Sequence, residues 1–294
     1  TGITHFGTSP KFLSACANSN TLPKEIANLS KLSSVLSTGA PLVSEQFDWV
    51  YQNISTDIHL ASISGGTDII GCFLAGSPIL PVYRGELQCP QLGMDVQSWN
   101  ENGESVIGKS GELVCVKPFP SMPISFWNDD TGSKYHEAYF DVFPGVWTHG
   151  DYVEITDNRG AIIYGRSDTT LNPGGVRIGT AEIYRAVESM KDIEDTIVVG
   201  KPNDGDIDIV LCIKLVEGAF LDSKMQDNIR KMIRSKTTPR HVPKYIFSVT
   251  EIPYTISGKK VEKAVLSTII GKKIKNKDAL ANPDCLSQYS KLEF

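Results

Sequence analysis

Apolar positions near the start of the chain fall into two alternating spacings. Phe12, Leu13 and Cys16 share one face of a helix that Thr8-Ser9-Pro10 would open, with proline near the first turn. Residues 33–38 read as a short buried strand stopped by Gly39. Leu42, Val43, Phe47, Val50 and Ile54 then make a helical stripe, and 58–63 a second strand ending at Gly65-Gly66. This order predicts a sheet with helices packed on it. From about 83 to 164 the pattern changes to short strands and polar turns, and Asp157-Asn-Arg-Gly joins 152–156 to 161–164 as a hairpin.

The spacing shifts again near Arg166-Ser-Asp168. A Gly/Pro-rich loop at Asn172-Pro-Gly-Gly175 precedes a helix on Ile183, Tyr184, Val187 and Met190. Strands are predicted at 196–199, 209–216 and 245–249, with helices at 222–236 and 261–270. Three strands and three helices suffice for a small α+β domain. The boundary is placed at about 165–168.

Composition narrows the classes. The 294 residues, at about 150 per domain, are consistent with two domains. A 40% hydrophobic, 21% charged chain can bury a sizeable core, which excludes a disordered tail or a disulfide-held miniprotein. Lysine plus arginine (29) against aspartate plus glutamate (34) leaves −5, with no dominant basic field for nucleic acid or anionic lipid. The longest apolar runs, such as 207–215, are broken by Asp208 and Lys214 and stop short of a membrane span. Six cysteines without a CxxC, mostly in apolar runs, point to reduced, buried thiols and a cytosolic protein. The five histidines show no metal-ligand spacing. Because the chain opens at Thr1 in folded-looking sequence, without a secretory leader, it is expected to be a fragment or processed product.

Five segments carry chemistry, each expected at a loop after a strand. In Ser37-Thr-Gly-Ala-Pro41, Gly39 would let backbone approach a flat ligand and Pro41 would fix a helix start; a plain strand-to-helix turn needs the same residues. In Ser64-Gly-Gly-Thr-Asp68, two glycines expose backbone, Thr67 offers a hydroxyl to phosphate and Asp68 a carboxylate to Mg²⁺, though the same residues make a good turn. Trp147-Thr-His-Gly-Asp151 sets a carboxylate just before a hairpin, where it could hold both ribose hydroxyls or simply cap the hairpin. Gly165-Arg-Ser-Asp168, followed by Asn172-Pro-Gly-Gly-Val-Arg177 and Glu182, reads as a hinge with phosphate-binding arginines or as a solvated linker. Pro253-Tyr-Thr-Ile-Ser-Gly-Lys-Lys260 puts a long ammonium after a Ser-Gly turn, able to neutralise a phosphate or to stay in solvent.

Singly these are weak; their order and spacing resemble the adenylate-forming superfamily of acid–CoA ligases, luciferases and nonribosomal adenylation domains, across essentially the whole chain. Phe6-Gly-Thr-Ser, Ile63-Ser-Gly-Gly-Thr-Asp-Ile-Ile, Leu171-Asn-Pro and Arg240-His-Val-Pro are similar to its branch that activates acetoacetate. The resemblance implies a mixed α/β and α+β fold. Residues 1–167 would be the C-terminal portion of a large AMP-binding domain, a sheet plus a small β-barrel-like region. Residues 168–294 would be a small mobile domain. It implies ATP, Mg²⁺ and CoA as cofactors and co-substrates. Gly39, Ala40 and Pro41 would line adenine, Gly66 would bind the nucleotide, Thr67 would touch the α-phosphate as a catalytic residue, and Asp68 would hold Mg²⁺. Asp151 and Arg166 would bind the ribose region, Asp168 would be the hinge, and Lys259 the catalytic lysine of adenylation. Gly174, Gly175, Arg177 and Arg230 would meet CoA.

Three departures from that pattern stand out. Asp68 replaces a common Glu, and His149 replaces a common Thr. The family's Ser/Thr/Gly-rich phosphate loop is not found, and its expected place is upstream of Thr1. Gly65 stands where acetyl-CoA synthetases carry a tryptophan that closes the acyl pocket, which would leave room for acetoacetate. The implied reaction is AMP-forming acid–thiol ligation of acetoacetate with CoA. Two readings stay beside it: another short-chain acid, and a non-catalytic nucleotide- or CoA-binding remnant. A carrier-protein acceptor is a third, disfavoured because no carrier domain follows Phe294.

Overall fold

A computed structural model describes the chain except residues 1, 189, 257, 275 and 276, and gives only the backbone of Gly175. Ser257 of the lysine loop and Thr1 are therefore outside the described residues. The chain divides into two compact units, Thr1–Ile163 and Tyr164–Phe294.

The first unit opens with strand β1 (His5–Thr8), helix α1 (Pro10–Asn18), a single turn α2 (Pro23–Ile26), strand β2 (Ser34–Ser37), helix α3 (Ser44–Asn53) and strand β3 (His59–Ser62). β1, β2 and β3 lie side by side and parallel, Val35 pairing with both Phe6 and Leu60. Leu13, Val35, Phe47, Val50 and Leu60 form the core beneath this sheet. Ser9 caps α1 by accepting the Phe12 N–H, as expected from Ser-Pro. β1 was not anticipated, because Phe6 is the one large apolar residue among its four and so short a run shows no alternation.

Pro41 does not open α3; the helix begins at Ser44. Gln46 sets that start: its Oε1 accepts the Val43 N–H (3.2 Å), and its amide donates to Pro10 O and Ser14 Oγ on α1. A buried side chain thus fixes the helix entry that proline was expected to fix.

Next come β4 (Ser64–Gly66), β5 (Gly71–Ala75) and β6 (Cys89–Pro90), forming one small antiparallel sheet. β7 (Val96–Trp99), β8 (Ser105–Val106), β9 (Ser110–Cys115), helix α4 (Ser133–Tyr139), β10 (Trp147–Ile155) and β11 (Ala161–Arg166) follow, and their strands make a five-stranded sheet in the order β11-β10-β9-β7-β8. Leu87, just before β6, and Ala161 of β11 exchange two backbone hydrogen bonds of 2.8 Å, which join these two sheets in keeping with the barrel-like region expected. Their shared core holds Phe73, Leu113, Phe119, Trp147 and Val153.

The second unit carries α5 (Thr180–Val187), β12 (Ile193–Asn203), β13 (Asp206–Leu215), α6 (Ser223–Lys236), β14 (Tyr245–Ser248) and α7 (Glu262–Ile269). These are the three strands and three helices read from the sequence. β13 is central, antiparallel to β12 and parallel to β14. Helices α5 and α6 cover one face through Ile183, Val187, Ile229 and Ile233, and α7 the other through Ala264 and Val265. β12 and β13 are longer than the apolar pattern showed, because Asp204 and Gly205, at φ 46° and 84°, make the two-residue turn joining them. All six cysteines are free thiols, three of them buried. No helix among the described residues is long and apolar enough to cross a membrane.

Candidate functional site

The carboxyl ends of β2 and β3 hold the first two segments. Gly39 sits just past β2 at φ 94°, a left-handed backbone that a side chain would strain. The Ile63 N–H donates to Ser37 O (2.9 Å), so the chain leaving β3 starts beside the Gly39–Pro41 loop.

Gly65 and Gly66 are not in a loop. They form β4, paired with β5 through Gly65↔Cys72 and Gly66↔Gly71, and Thr67 and Asp68 sit exposed on the turn between the two strands. Buried Ile69 pins that turn. The reason for glycine at 65 also differs from the one expected. A Cβ there would lie 1.9 Å from Gly71 O and 2.7 Å from Cys72 Cα. The missing side chain allows two backbones to touch.

At Gly66 a Cβ would meet His149 Cε1 at 2.8 Å, so this strand packs directly on the third segment. Asp151 does not precede a hairpin; it lies inside β10. Thr148 pairs with Val114 but Tyr152 with Glu112, so residues 149–151 together face Leu113 in a bulge, with Gly150 at φ 77°. Bulges re-aim side chains, and they recur beside active sites. Here the bulge brings His149 Nε2 to 3.8 Å from Asp151 Oδ2, both largely buried, and sets the His149 ring edge-on to Phe73 at 4.6 Å.

One residue of this site carried no signal in the sequence. Tyr139, at the end of α4, donates its hydroxyl to Asp68 Oδ2. Its ring stacks on Trp147 at 3.7 Å and 15°. Asp68 is thereby tied, through Tyr139 and Trp147, to the strand that carries His149 and Asp151. Among the described residues no cluster of three or more His, Cys, Asp or Glu side chains could hold a metal unaided. A magnesium ion brought with phosphates needs only one or two protein carboxylates, and Asp68 fits that demand.

The remaining candidates belong to the second unit. Arg166 ends β11, its carbonyl accepting from Thr169 and Thr170, so it and Asp151 fall in different units. Asp168, in a 3₁₀ turn, pairs with Lys263 of α7 at 2.5 Å. Gly174 (φ 57°) donates its N–H to Asp206 Oδ1 at 2.8 Å, and its carbonyl accepts from Arg240 at 3.2 Å. The N–H groups of Gly174 and Ile207 hold the Asp206 carboxyl below its usual range. The backbone of Gly175 completes that turn, and Arg177 is exposed just beyond it. Arg240 is thus a second missed participant. Arg230 instead engages Gln226 and Asp227 on its own helix. Glu182 accepts the Gly179 N–H at the start of α5 and pairs with His241 at 3.0 Å. Lys259 is exposed, with its N–H on Thr255 Oγ1 (3.0 Å) and its carbonyl accepting the Thr255 N–H (2.8 Å).

No family model matches the chain. The acetoacetyl-coenzyme A synthetase of Rhizobium meliloti (strain 1021) is 50% identical over 98% of the chain, and the Gallus gallus acetoacetyl-CoA synthetase 46% identical over 99%. In each case the match spans 44% of the relative, so the chain is less than half as long as these proteins. The solved acetoacetyl-CoA synthetase of Streptomyces lividans superposes with a TM-score of 0.91 at 41% identity, covering 99% of this chain and 45% of that one. A solved anthranilate CoA ligase, 20% identical with a TM-score of 0.73, shares the fold. By sequence and architecture, the chain is similar to acetoacetyl-CoA synthetases and matches the C-terminal part of the adenylate-forming enzyme fold.

Proposed function

We propose that the chain serves an AMP-forming ligation of acetoacetate to CoA. The observation that carries this reading is the packing of the Gly66 strand on the His149–Asp151 bulge, with Asp68 tied to the same strand through Tyr139 and Trp147. A phosphate-facing turn and a ribose-facing carboxylate then stand in one unit, in the family's order. The similarity to acetoacetyl-CoA synthetases supports the choice of acid; Gly65 does not, given its backbone contact.

In this reading Gly39, Ala40 and Pro41 border adenine, and Asp151 accepts from the ribose hydroxyls. Gly66 and Thr67 meet the α-phosphate, and Asp68 is the carboxylate for Mg²⁺, which supplies charge neutralisation at the phosphates. The acetoacetate carboxylate attacks the α-phosphorus and pyrophosphate leaves, with the Lys259 ammonium offsetting the charge that develops. The CoA thiolate then attacks the acyl-adenylate carbonyl and AMP leaves. Arg166 is assigned to the ribose region, Gly174, Gly175 and Arg177 to CoA, and Asp168 to the hinge between domains 1–167 and 168–294. Arg230 is the weakest member, because its guanidinium is engaged along α6.

The test is acetoacetate-dependent formation of AMP and a CoA thioester by the whole protein, with acetate and butyrate as competitors. Formation of acetoacetyl-CoA in preference to both is expected. Thioester formed equally from all three would overturn the assignment of the acid, and nucleotide binding without AMP formation would favour the non-catalytic remnant.

A further inference from the structure

Lys259 has a neighbour with a different fate. In an extended stem, consecutive side chains point to opposite sides. Lys259 faces solvent, and Lys260 turns inward. Lys260 Nζ lies 3.0 Å from Asp195 Oδ1, in a pair whose side chains are 18% and 15% exposed. The same ammonium sits 4.1 Å from the centre of the Tyr184 ring. Tyr184 is fixed in turn, its hydroxyl donating to Glu262 Oε1 (2.9 Å) and accepting the Val198 N–H (3.1 Å).

Asp195 has a second partner from the same loop. Its Oδ2 accepts the Tyr254 hydroxyl at 2.5 Å, while Oδ1 also accepts the Thr196 N–H at 2.8 Å. Tyr254 and Lys260 form an antiparallel bridge across the base of the loop. Both stems of the segment that carries Lys259 therefore end on one carboxylate of β12.

We propose that Lys260 is a positioning residue which, with Tyr254, clamps the two stems of the Lys259 loop onto Asp195 and so fixes where the Lys259 ammonium is delivered. The tandem lysines divide the work: one is presented, the other is tethered. The proposal rests on the reading of Lys259 as the adenylation lysine, and its tests are split so that either can fail alone. Lys260→Met removes the charge and keeps the stem's bulk, Lys260→Arg restores a cation that can meet both Asp195 and an aromatic face, and Asp195→Asn breaks the clamp from the other side.

In the whole protein, acetoacetate-dependent pyrophosphate release should fall about 10- to 100-fold in kcat for Lys260→Met and Asp195→Asn, as expected for a displaced catalytic group, with little change in the KM for ATP. Lys260→Arg should recover most of it. Thioester formation from supplied acetoacetyl-adenylate should be spared, and Lys260→Met should add nothing in a Lys259→Ala background. Equal loss in both half-reactions, or further loss in that background, would overturn the clamp in favour of general destabilisation. In this chain alone, hydrogen exchange at the Lys259 and Gly258 amides should accelerate in Lys260→Met and return in Lys260→Arg, with β12–β13 amides unchanged. Unaltered exchange overturns the clamp whatever Lys259 does, whereas faster exchange with an active Lys259→Ala enzyme keeps the clamp and removes the catalytic reading.

Discussion

Tyr139 illustrates how much one hydroxyl can arrange. It reaches across 71 positions of sequence to Asp68 while its ring lies flat on Trp147. A neutral donor to a carboxylate contributes about 1.5 kcal/mol at most in so exposed a setting. Tyr139→Phe keeps the stack, so thermal unfolding of the chain should change little. The magnesium concentration for half-maximal adenylation should rise about 3- to 10-fold, because Asp68 loses the group that orients it; an unchanged magnesium requirement would refute that role. Nothing in the sequence near residue 139 announces this contact. Asp68, by contrast, was legible, because a carboxylate two residues after a Gly-Gly pair is a local pattern. Tyr139 is defined only by its partners, and those come from another element.

At the scale of elements, the apolar spacings located the longer helices α1, α3, α5, α6 and α7, the strands β2 and β3 and those from β10 onward, since burial on one face leaves a period that can be read. What they missed follows from causes outside that period. Gln46, a polar side chain, sets the start of α3 through contacts with α1. The β4 arm contains only Ser64, Gly65 and Gly66, which carry no apolar pattern, so it reads as a loop until β5 is found beside it. Gly65→Ala tests that pairing. With Gly71 O at 1.9 Å from the new methyl, the hairpin has to spread, at a cost of about 3 kcal/mol. Urea unfolding should show that loss, and a variant as stable as the parent would mean that β4 and β5 do not approach as described. For the same reason an enlarged residue at 65 tests backbone tolerance before it tests acid preference.

At the scale of the whole molecule, the second unit draws three partly buried charged side chains together. Lys260 is the cation between Asp195 and the neighbourhood of Glu262, and the two carboxylates respond in opposite ways. Burial would raise the Asp195 carboxyl, but Lys260 and the Tyr254 hydroxyl outweigh it and hold the group below its usual range. Burial prevails at Glu262 and lifts its carboxyl above the usual value of 4.5. A native acid with a raised value binds more protons than the unfolded chain above pH 4.5, so stability declines as pH climbs through that raised value. Glu262→Gln, which can still accept from Tyr184, should abolish that decline and be the more stable protein at neutral pH. Urea unfolding from pH 4.5 upward measures it, and parallel pH profiles for the two proteins would contradict the assignment. None of this electrostatic arrangement could be read from composition, because it depends on β12, α5 and α7 presenting their charges to one another. The order of the candidate segments was legible, whereas their distribution between the two units came from the coordinates.

The bulge in β10 has an arithmetic consequence. From Thr148 to Tyr152 is four steps along one strand, against two from Val114 to Glu112 on the other. The surplus is even, so inside and outside keep their parity: Trp147 before the bulge and Val153 after it are both buried. Losing a single residue there would turn every later side chain of the strand inside out. Losing two would leave a regular ladder with the sheet whole and only the bend at His149–Asp151 erased. The Asp151 carboxylate is therefore a detachable addition to the sheet, and a descendant could discard it while keeping its architecture.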